Sequence, residues 1–212
     1  MKATVVKLGG STADHKEMNA WTAALAASRV PLVVVPGGGA FADQVRDEQN
    51  RLGFSDVAAH AMAILAMDQF GHVILDRHER FSAARSPEEI EQALADGKIP
   101  VWLPSAMAIP ASDIPISWDI TSDSLAAWLT GKLAADALLL VKQSRAFTRE
   151  DSVADLMARG IVDAYFATML PATVDLLIAG PHDVATAAAT LSSGRLPGVK
   201  IRPIVKQTKK VG

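Results

Sequence analysis

Two short runs rich in β-branched residues, TVVKL at 4–8 and PLVVV at 31–35, each end in a cluster of glycines. Gly9 and Gly10 follow the first, and Gly37, Gly38 and Gly39 follow the second. A strand that is apolar on both faces belongs inside a parallel sheet, with helices covering each side. Glycines at its carboxyl end allow a sharp turn or the close approach of a ligand or a second backbone.

The same alternation continues along the chain. Strands are predicted at 3–8, 31–35, 72–75, 99–103, 137–142 and 175–179. Helices are predicted at 14–28, 40–51, 57–71, 86–96, 122–134, 151–159 and 181–193. Met18, Trp21 and Leu25 share one face of the first helix. Ser86, Pro87 and Glu89 carry the signature of a capped helix start. The Pro-rich stretch 104–117 reads as a loop, and DRHERFSAAR at 76–85 as a solvated loop or lid. Strands separated by helices predict an α/β fold, a three-layer αβα sandwich around a mostly parallel sheet. With 212 residues, half of them apolar, one domain over 1–212 with a sizeable core is expected.

The bulk properties exclude several functions. A net charge of −2 gives no reason to expect nucleic acid or an acidic membrane as a partner. The chain has no cysteine, which removes disulfides, thiolate metal sites and cysteine nucleophiles. No uninterrupted apolar run approaches the roughly 20 residues that span a bilayer. The first residues lead into a strand with no signal-peptide pattern, so a cytoplasmic location is expected. The five histidines (15, 60, 72, 78 and 182) lack metal-site spacing, and no metal site is predicted.

In a parallel sheet, ligands bind at the carboxyl ends of the strands. Lys7, Gly9, Gly10 and Ser11 lie at one such end and Gly37 to Gly39 at another. Glycine turns present backbone N–H groups to anions, and Lys7 adds a positive charge. Gly37, Gly39 and Ala42 also match a G-x-G-x-x-A dinucleotide fingerprint. The acid it requires about 20 residues on has a poor candidate in Asp56, which precedes a helix and follows no strand. A dehydrogenase is therefore a minor reading. Neither a P-loop nor the protein-kinase signatures occur.

The stretch SWDITSDSLAAWLTGKLAADALLLVK at 117–142 is the richest. Thr121 or Ser122 can cap a helix there, with Asp123 complementing its dipole. That local role leaves Trp118, Asp119 and Lys142 unexplained. Taken together, K-x-G-G-S (Lys7 to Ser11), G-G-G (Gly37 to Gly39), T-S-D-S-x-A-A (Thr121 to Ala127) and A-D-x-L-L-L-V-K (Ala135 to Lys142) resemble the amino acid kinase family. The resemblance covers nearly the whole chain in order.

That resemblance implies a phosphotransferase using ATP and Mg²⁺, with a phosphoryl acceptor in the N-terminal half and ATP in the C-terminal half. It implies catalytic roles for Lys7, Asp123 and Lys142, with Asp123 holding the lysines in place rather than acting as a base. Gly9, Gly10, Ser11, Gly37, Gly38 and Gly39 would bind phosphate. MAILAMDQFG (62–71) with SWDITSDS (117–124) most resembles the small family members of methanofuran biosynthesis. Those phosphorylate an (aminomethyl)furanmethyl phosphate to its diphosphate. Asp68 and Asp119 would then face the acceptor's ammonium, with Thr121 and Ser122 completing the substrate-binding set. A small phosphorylated substrate and a homo-oligomer are the expected partners. Uridylate or isopentenyl phosphate kinase-like activity, or a non-catalytic nucleotide- or oxyanion-binding relative, are the alternatives.

The sequence also departs from the wider family. V-K-Q-S-R (141–145) replaces T-D-V-D-G, and A-T-M-L-P-A (167–172) lacks the lysine of G-M-x-x-K. Lys142 is the candidate replacement for that lysine.

Overall fold

The computed structural model describes residues 3–12 and 17–202, with Ser11 described through its backbone alone. The strands are β1 (Thr4–Leu8), β2 (Leu32–Pro36), β3 (Phe81–Ala84), β4 (Ile99–Trp102), β5 (Ala137–Val141), β6 (Asp175–Ala179) and β7 (Val199–Lys200). The helices are α1 (Glu17–Ala26), α2 (Gly39–Leu52), α3 (Asp56–Leu75), α4 (Pro87–Ala95), α5 (Ser105–Ala108), α6 (Ser122–Lys132), α7 (Val153–Ala158), α8 (Phe166–Met169) and α9 (Val184–Ser192).

These strands form one seven-stranded sheet in the order β3-β4-β2-β1-β5-β6-β7. Every pairing is parallel except β6 with β7. The chain starts in the centre at β1, builds outward through β2 to β3 and β4, then crosses to β5 on the other side. A ligand crevice is expected where the chain changes direction, beyond the carboxyl ends of β1, β2 and β5.

Strand alternation divides the core into two layers. Val5, Val33, Val35, Trp102, Leu138, Leu140 and Ile178 face α6, α8 and α4. Val6, Leu8, Val34, Val101, Leu139 and Val141 face Trp21 and Leu25 of α1, Leu191 of α9, and Phe70 and Ile74 of α3. Lys7 follows Val6, so its side chain falls on the α6 side. There α6 is held by Trp128, which stacks on Trp102 with ring centroids 6.1 Å apart and donates Nε1–H to Asp113 at 3.0 Å.

The strand predicted at 72–75 is instead the last turn of α3, where Ile74 continues the buried stripe of Phe70. Helix α3 is long and apolar enough to cross a membrane by length and composition alone. Here its second half lies on the sheet and its first half stands above the strand ends against α2. The stretch 76–85 contains edge strand β3 as well as a loop, anchored by Arg80 donating to the carbonyl of Ser28 at 3.0 Å. The stretch 104–117 holds the short α5. Residues 14–16 of the first predicted helix lie outside the described residues. The predicted cap of α4 forms, with Ser86 Oγ accepting from Glu89 N at 3.2 Å. Glu89 itself reaches back to Arg85 N, at 2.7 Å.

The two glycine turns interlock. A Cβ on Gly10 would fall 2.1 Å from the amide nitrogen of Gly39, and one on Gly37 would fall 2.2 Å from that of Gly10. Gly39 also has φ +53°, where L side chains are strained. Neither backbone can move without displacing a strand end. Gly37→Ala should therefore destabilise the protein by about 2 kcal/mol or more, the scale of overpacking against rigid neighbours. Urea denaturation measures this, and an unchanged midpoint would contradict it.

Candidate active site

The ends of β1, β2 and β5, the first turn of α6 and the α2–α3 pair surround a cleft of about 740 Å³. That volume falls within the about 300–1,000 Å³ typical of small-molecule sites. Lys7, Gly10, Gly38, Gly39, Asp123 and Lys142 line it together. Gly9 and Gly37 lie behind the lining and shape the turns: Gly9 O accepts from Thr12 N and Gly37 N donates to Leu8 O, both at 2.9 Å. The Ser11 side chain lies outside the described residues.

Strand register builds the charged centre. Lys7 lies opposite Leu140 in the β1–β5 ladder, and Lys142 leaves the end of β5 with its N–H on the carbonyl of Ala179 at 2.9 Å. Both ammonium groups meet the carboxylate of Asp123 on the first turn of α6. Lys7 Nζ is 3.0 Å from Oδ1, and Lys142 Nζ donates to Oδ2. The side chains of Lys7 and Asp123 are only 7% and 4% exposed, so solvent barely screens this contact. Oδ1 makes the ion pair without good hydrogen-bond alignment, so the attraction there is mainly charge on charge.

Burial opposes the ionisation of Asp123, but Lys7 and Lys142 outweigh it and hold the carboxyl below the usual range. For Lys142, burial and then the Lys7 charge push the ammonium pKa down, while Asp123 and Asp163 hold it up. The local capping role and the charged role of T-S-D-S coexist. Thr121 Oγ1 caps α6 by accepting from Asp123 N at 3.2 Å, while the Asp123 side chain turns to the lysines.

The rest of the cleft separates into two walls. One is made by α2, the start of α3 and the 117–120 loop. Arg46 lies over the Trp118 ring at 4.5 Å, and Trp118 Nε1 donates to Gln49 Oε1 at 2.6 Å. Asp43, Asp56, His60, Met67 and Asp119 line this wall, and burial pushes the His60 pKa down. The other wall is Met157 and the loop Gly160–Ala164.

Asp119, Thr121 and Ser122 line the cleft. Asp68 does not. Its Oδ1 accepts from Ser105 N at 3.2 Å, at the start of α5. Asp68 follows Met67, which does line the cleft, but one residue turns it about 100° around α3, off the face of His60 and Met67 and toward α5. The sequence reading also missed Asp163, which lies in GIVDAYF without a motif and binds the start of α6. Arg46, Asp56 and His60 were missed as cleft residues too. A 3.6-residue period from Asp56 through His60, Ala63 and Met67 would have marked that face. Among the described residues, no group of three or more His, Asp or Glu could hold a metal ion.

Comparison with known proteins adds to this geometry. A sequence profile described as the Amino acid kinase family matches residues 2–159. The [5-(aminomethyl)furan-3-yl]methyl phosphate kinase of Methanocaldococcus jannaschii is 34% identical over 131 residues, 61% of this chain and 60% of that protein. The chain thus matches only about three fifths of that relative's length. The uridylate kinase of Archaeoglobus fulgidus superposes with a TM-score of 0.66 at 18% identity, covering 95% of this chain and 100% of the other. The UMP kinase of Ureaplasma parvum gives 0.69 at 12% identity, covering 94% and 98%. At such identities these structures speak to the fold alone.

Removing the shared carboxylate should leave two buried ammonium groups uncompensated. Asp123→Ala should cost about 3–5 kcal/mol, the range for breaking a buried pair on one side. The pH dependence follows from the lowered carboxyl pKa of Asp123. Its contribution is complete above the ordinary value of 3.8 and is lost as pH falls through the lower folded value. Denaturation between pH 2 and 6 tests both statements. An Asp123→Ala variant as stable as the parent at pH 6 would contradict them.

Proposed function

The chain belongs to the amino acid kinase family, and on that premise we propose that it is a cytoplasmic, ATP-dependent small-molecule kinase. Its acceptor in this proposal is an (aminomethyl)furanmethyl phosphate, converted to the diphosphate. The observation that carries the reaction class is the buried Lys7–Asp123–Lys142 group beside two glycine turns. The substrate class is supported by the named activity of the 34% identical relative.

Phosphoryl transfer depends on positioning and charge neutralisation more than on covalent chemistry by the protein. An oxygen of the acceptor phosphate bonds to the γ-phosphorus of ATP as the bond to the β–γ bridging oxygen breaks, and ADP leaves. A phosphate monoester has a second pKa near 6, so its attacking oxygen is already ionised and needs no base. Lys7 and Lys142 stabilise the transferring oxygens. The amides of Gly10, Gly38 and Gly39 supply neutral donors whose direction is fixed by the interlocked turns. Asp123 keeps the two ammonium groups apart from each other and aimed at the same point. These donors fit a polyphosphate. Mg²⁺ would be held chiefly by the nucleotide phosphates and would neutralise charge on them.

The α2–α3 wall is the acceptor side of this proposal, with Trp118 as a face for a flat ring and Asp119 and Asp56 as counter-charges for an ammonium. The α7 side and the loop Gly160–Ala164 form the nucleotide side. A panel assay of ADP release tests the acceptor with the aminomethylfuran phosphate, its N-acetylated form, UMP and isopentenyl phosphate. The free amine should be preferred, and Asp119→Asn should narrow that preference. Equal rates with the N-acetylated compound, or a preference for UMP, would overturn the acceptor assignment. Lys7→Ala should lower turnover by about 10²–10³, the effect of removing one preorganised charge stabiliser. Near-normal turnover would remove Lys7 from the mechanism.

We also propose that the chain self-associates through α2 and α3. Phe41, Leu52, Val57, Met62 and Leu65 are exposed on this pair, a concentration of apolar side chains that favours a covered surface. Sedimentation should give an oligomer and Leu65→Glu should shift it to monomer. A monomeric parent protein would refute this.

A further inference from the structure

We propose that Asp163 is a positioning residue for this site: it clamps the first turn of α6 and thereby holds Asp123 between Lys7 and Lys142. Asp163 lies in the loop between α7 and α8, remote in sequence from the helix it binds. Its Oδ2 accepts from Thr121 N at 3.1 Å, Thr121 Oγ1 at 2.8 Å and Ser124 N at 3.1 Å. Its Oδ1 accepts from Ser124 Oγ and from Tyr165 N at 3.0 Å. A carboxylate offers about four lone-pair directions, so five donors leave it no capacity for a metal ion or a substrate proton. The arrangement is a clamp rather than a reactive group.

The clamped residues bracket Asp123, with Thr121 two positions before it and Ser124 directly after it. The free N–H groups of a helix's first turn need acceptors. A Thr cap alone satisfies one here, that of Asp123. Asp163 satisfies that of Ser124 and also immobilises the hydroxyls of Thr121 and Ser124. The loop is itself rigidly rooted, since Val162 and Phe166 on either side are almost fully buried. The first turn of α6 is thus tied to the cleft wall formed by Gly160–Ala164. A displacement of the Asp123 carboxylate by even 1 Å would unbalance two buried lysines, and misplacement on that scale costs about 10²-fold in rate.

The charged groups that face Lys142 are Asp123, Lys7 and, more remotely, Asp163. If Asp123 moves, Lys142 loses support for its charged form and should titrate at lower pH. Two variants separate the clamp from a simple field effect. Asp163→Asn removes a charge and mismatches at least one N–H donor. Ser124→Ala keeps every charge and removes one hydroxyl of the clamp.

The kinetic arm of the test rests on the kinase reading, whereas lysine side-chain NMR titration of the free protein does not. For Asp163→Asn, kcat should fall by about 10²-fold with a much smaller change in KM for ATP, and Lys142 should titrate at lower pH. Ser124→Ala should shift both in the same direction by less. It also carries the test if Asp163→Asn fails to fold by circular dichroism. A folded variant pair with unchanged kcat and unchanged Lys142 titration would overturn the proposal. So would a shift in Asp163→Asn with none in Ser124→Ala, which marks a field effect alone. If the parent protein turns over no acceptor yet Lys142 shifts in both variants, the clamp stands and the kinase reading falls.

Discussion

The shared carboxylate of Asp123 is the interaction on which the rest of this site depends. Two lysines brought within reach of one another in a buried place repel, and each alone would be driven toward its neutral form. Placing one carboxylate between them, with Lys7 Nζ at 3.0 Å, offsets that repulsion, and two ammonium groups against one carboxylate carry one positive charge in excess. A centre of that kind favours a multiply charged anion over a neutral or singly charged ligand. In the proposed function, selectivity for phosphate would come from this excess charge together with the amides of the glycine turns.

Fold and site are joined by register. Lys7 can face α6 because strand alternation puts it on the same side as Val5, and Lys142 emerges beside it because β1 and β5 run parallel. The helix that brings Asp123 is anchored at its far end by the Trp102–Trp128 stack and at its near end by Asp163. Burying a charged triad is costly by itself. Here it is surrounded by two apolar layers whose strands have little freedom to shift. The interlocked glycines transmit the same rigidity to β2, since Gly10 and Gly37 leave no room for a side chain between them.

The parts of this architecture visible in the sequence are those written in local pattern. Strands β2 and β5 are continuous apolar runs and β1 is one interrupted only by Lys7, while the glycine clusters, Asp123 and Lys142 sit at strand ends or in a helix-start motif. Strand β3 was hidden because FSAA is short and half-buried and follows a charged segment. HVIL at 72–75 has the composition of a strand and follows Gly71, but that glycine lies within α3, where a Cβ would fall 2.5 Å from Leu103 Cδ2, so it serves close packing and the helix runs through it. Asp68 was misplaced because sequence gives its helix but not that its face of the helix meets α5 while the neighbouring face, with Met67, meets the cleft. Asp163 carries no signal of its own. Its partners are Thr121 and Ser124, and only the folded chain shows that a loop acid completes their helix cap.

The most direct test of the account is transfer itself, followed by ³¹P NMR with ATP and the aminomethylfuran phosphate, using the parent protein and Lys142→Met. The account predicts diphosphate and ADP forming together with the parent protein. With Lys142→Met it predicts that transfer is lost while the fold is kept, because methionine preserves the stem and removes only the ammonium that Asp123 holds. Bound ATP with no transfer by the parent protein, or normal transfer by Lys142→Met, would contradict it.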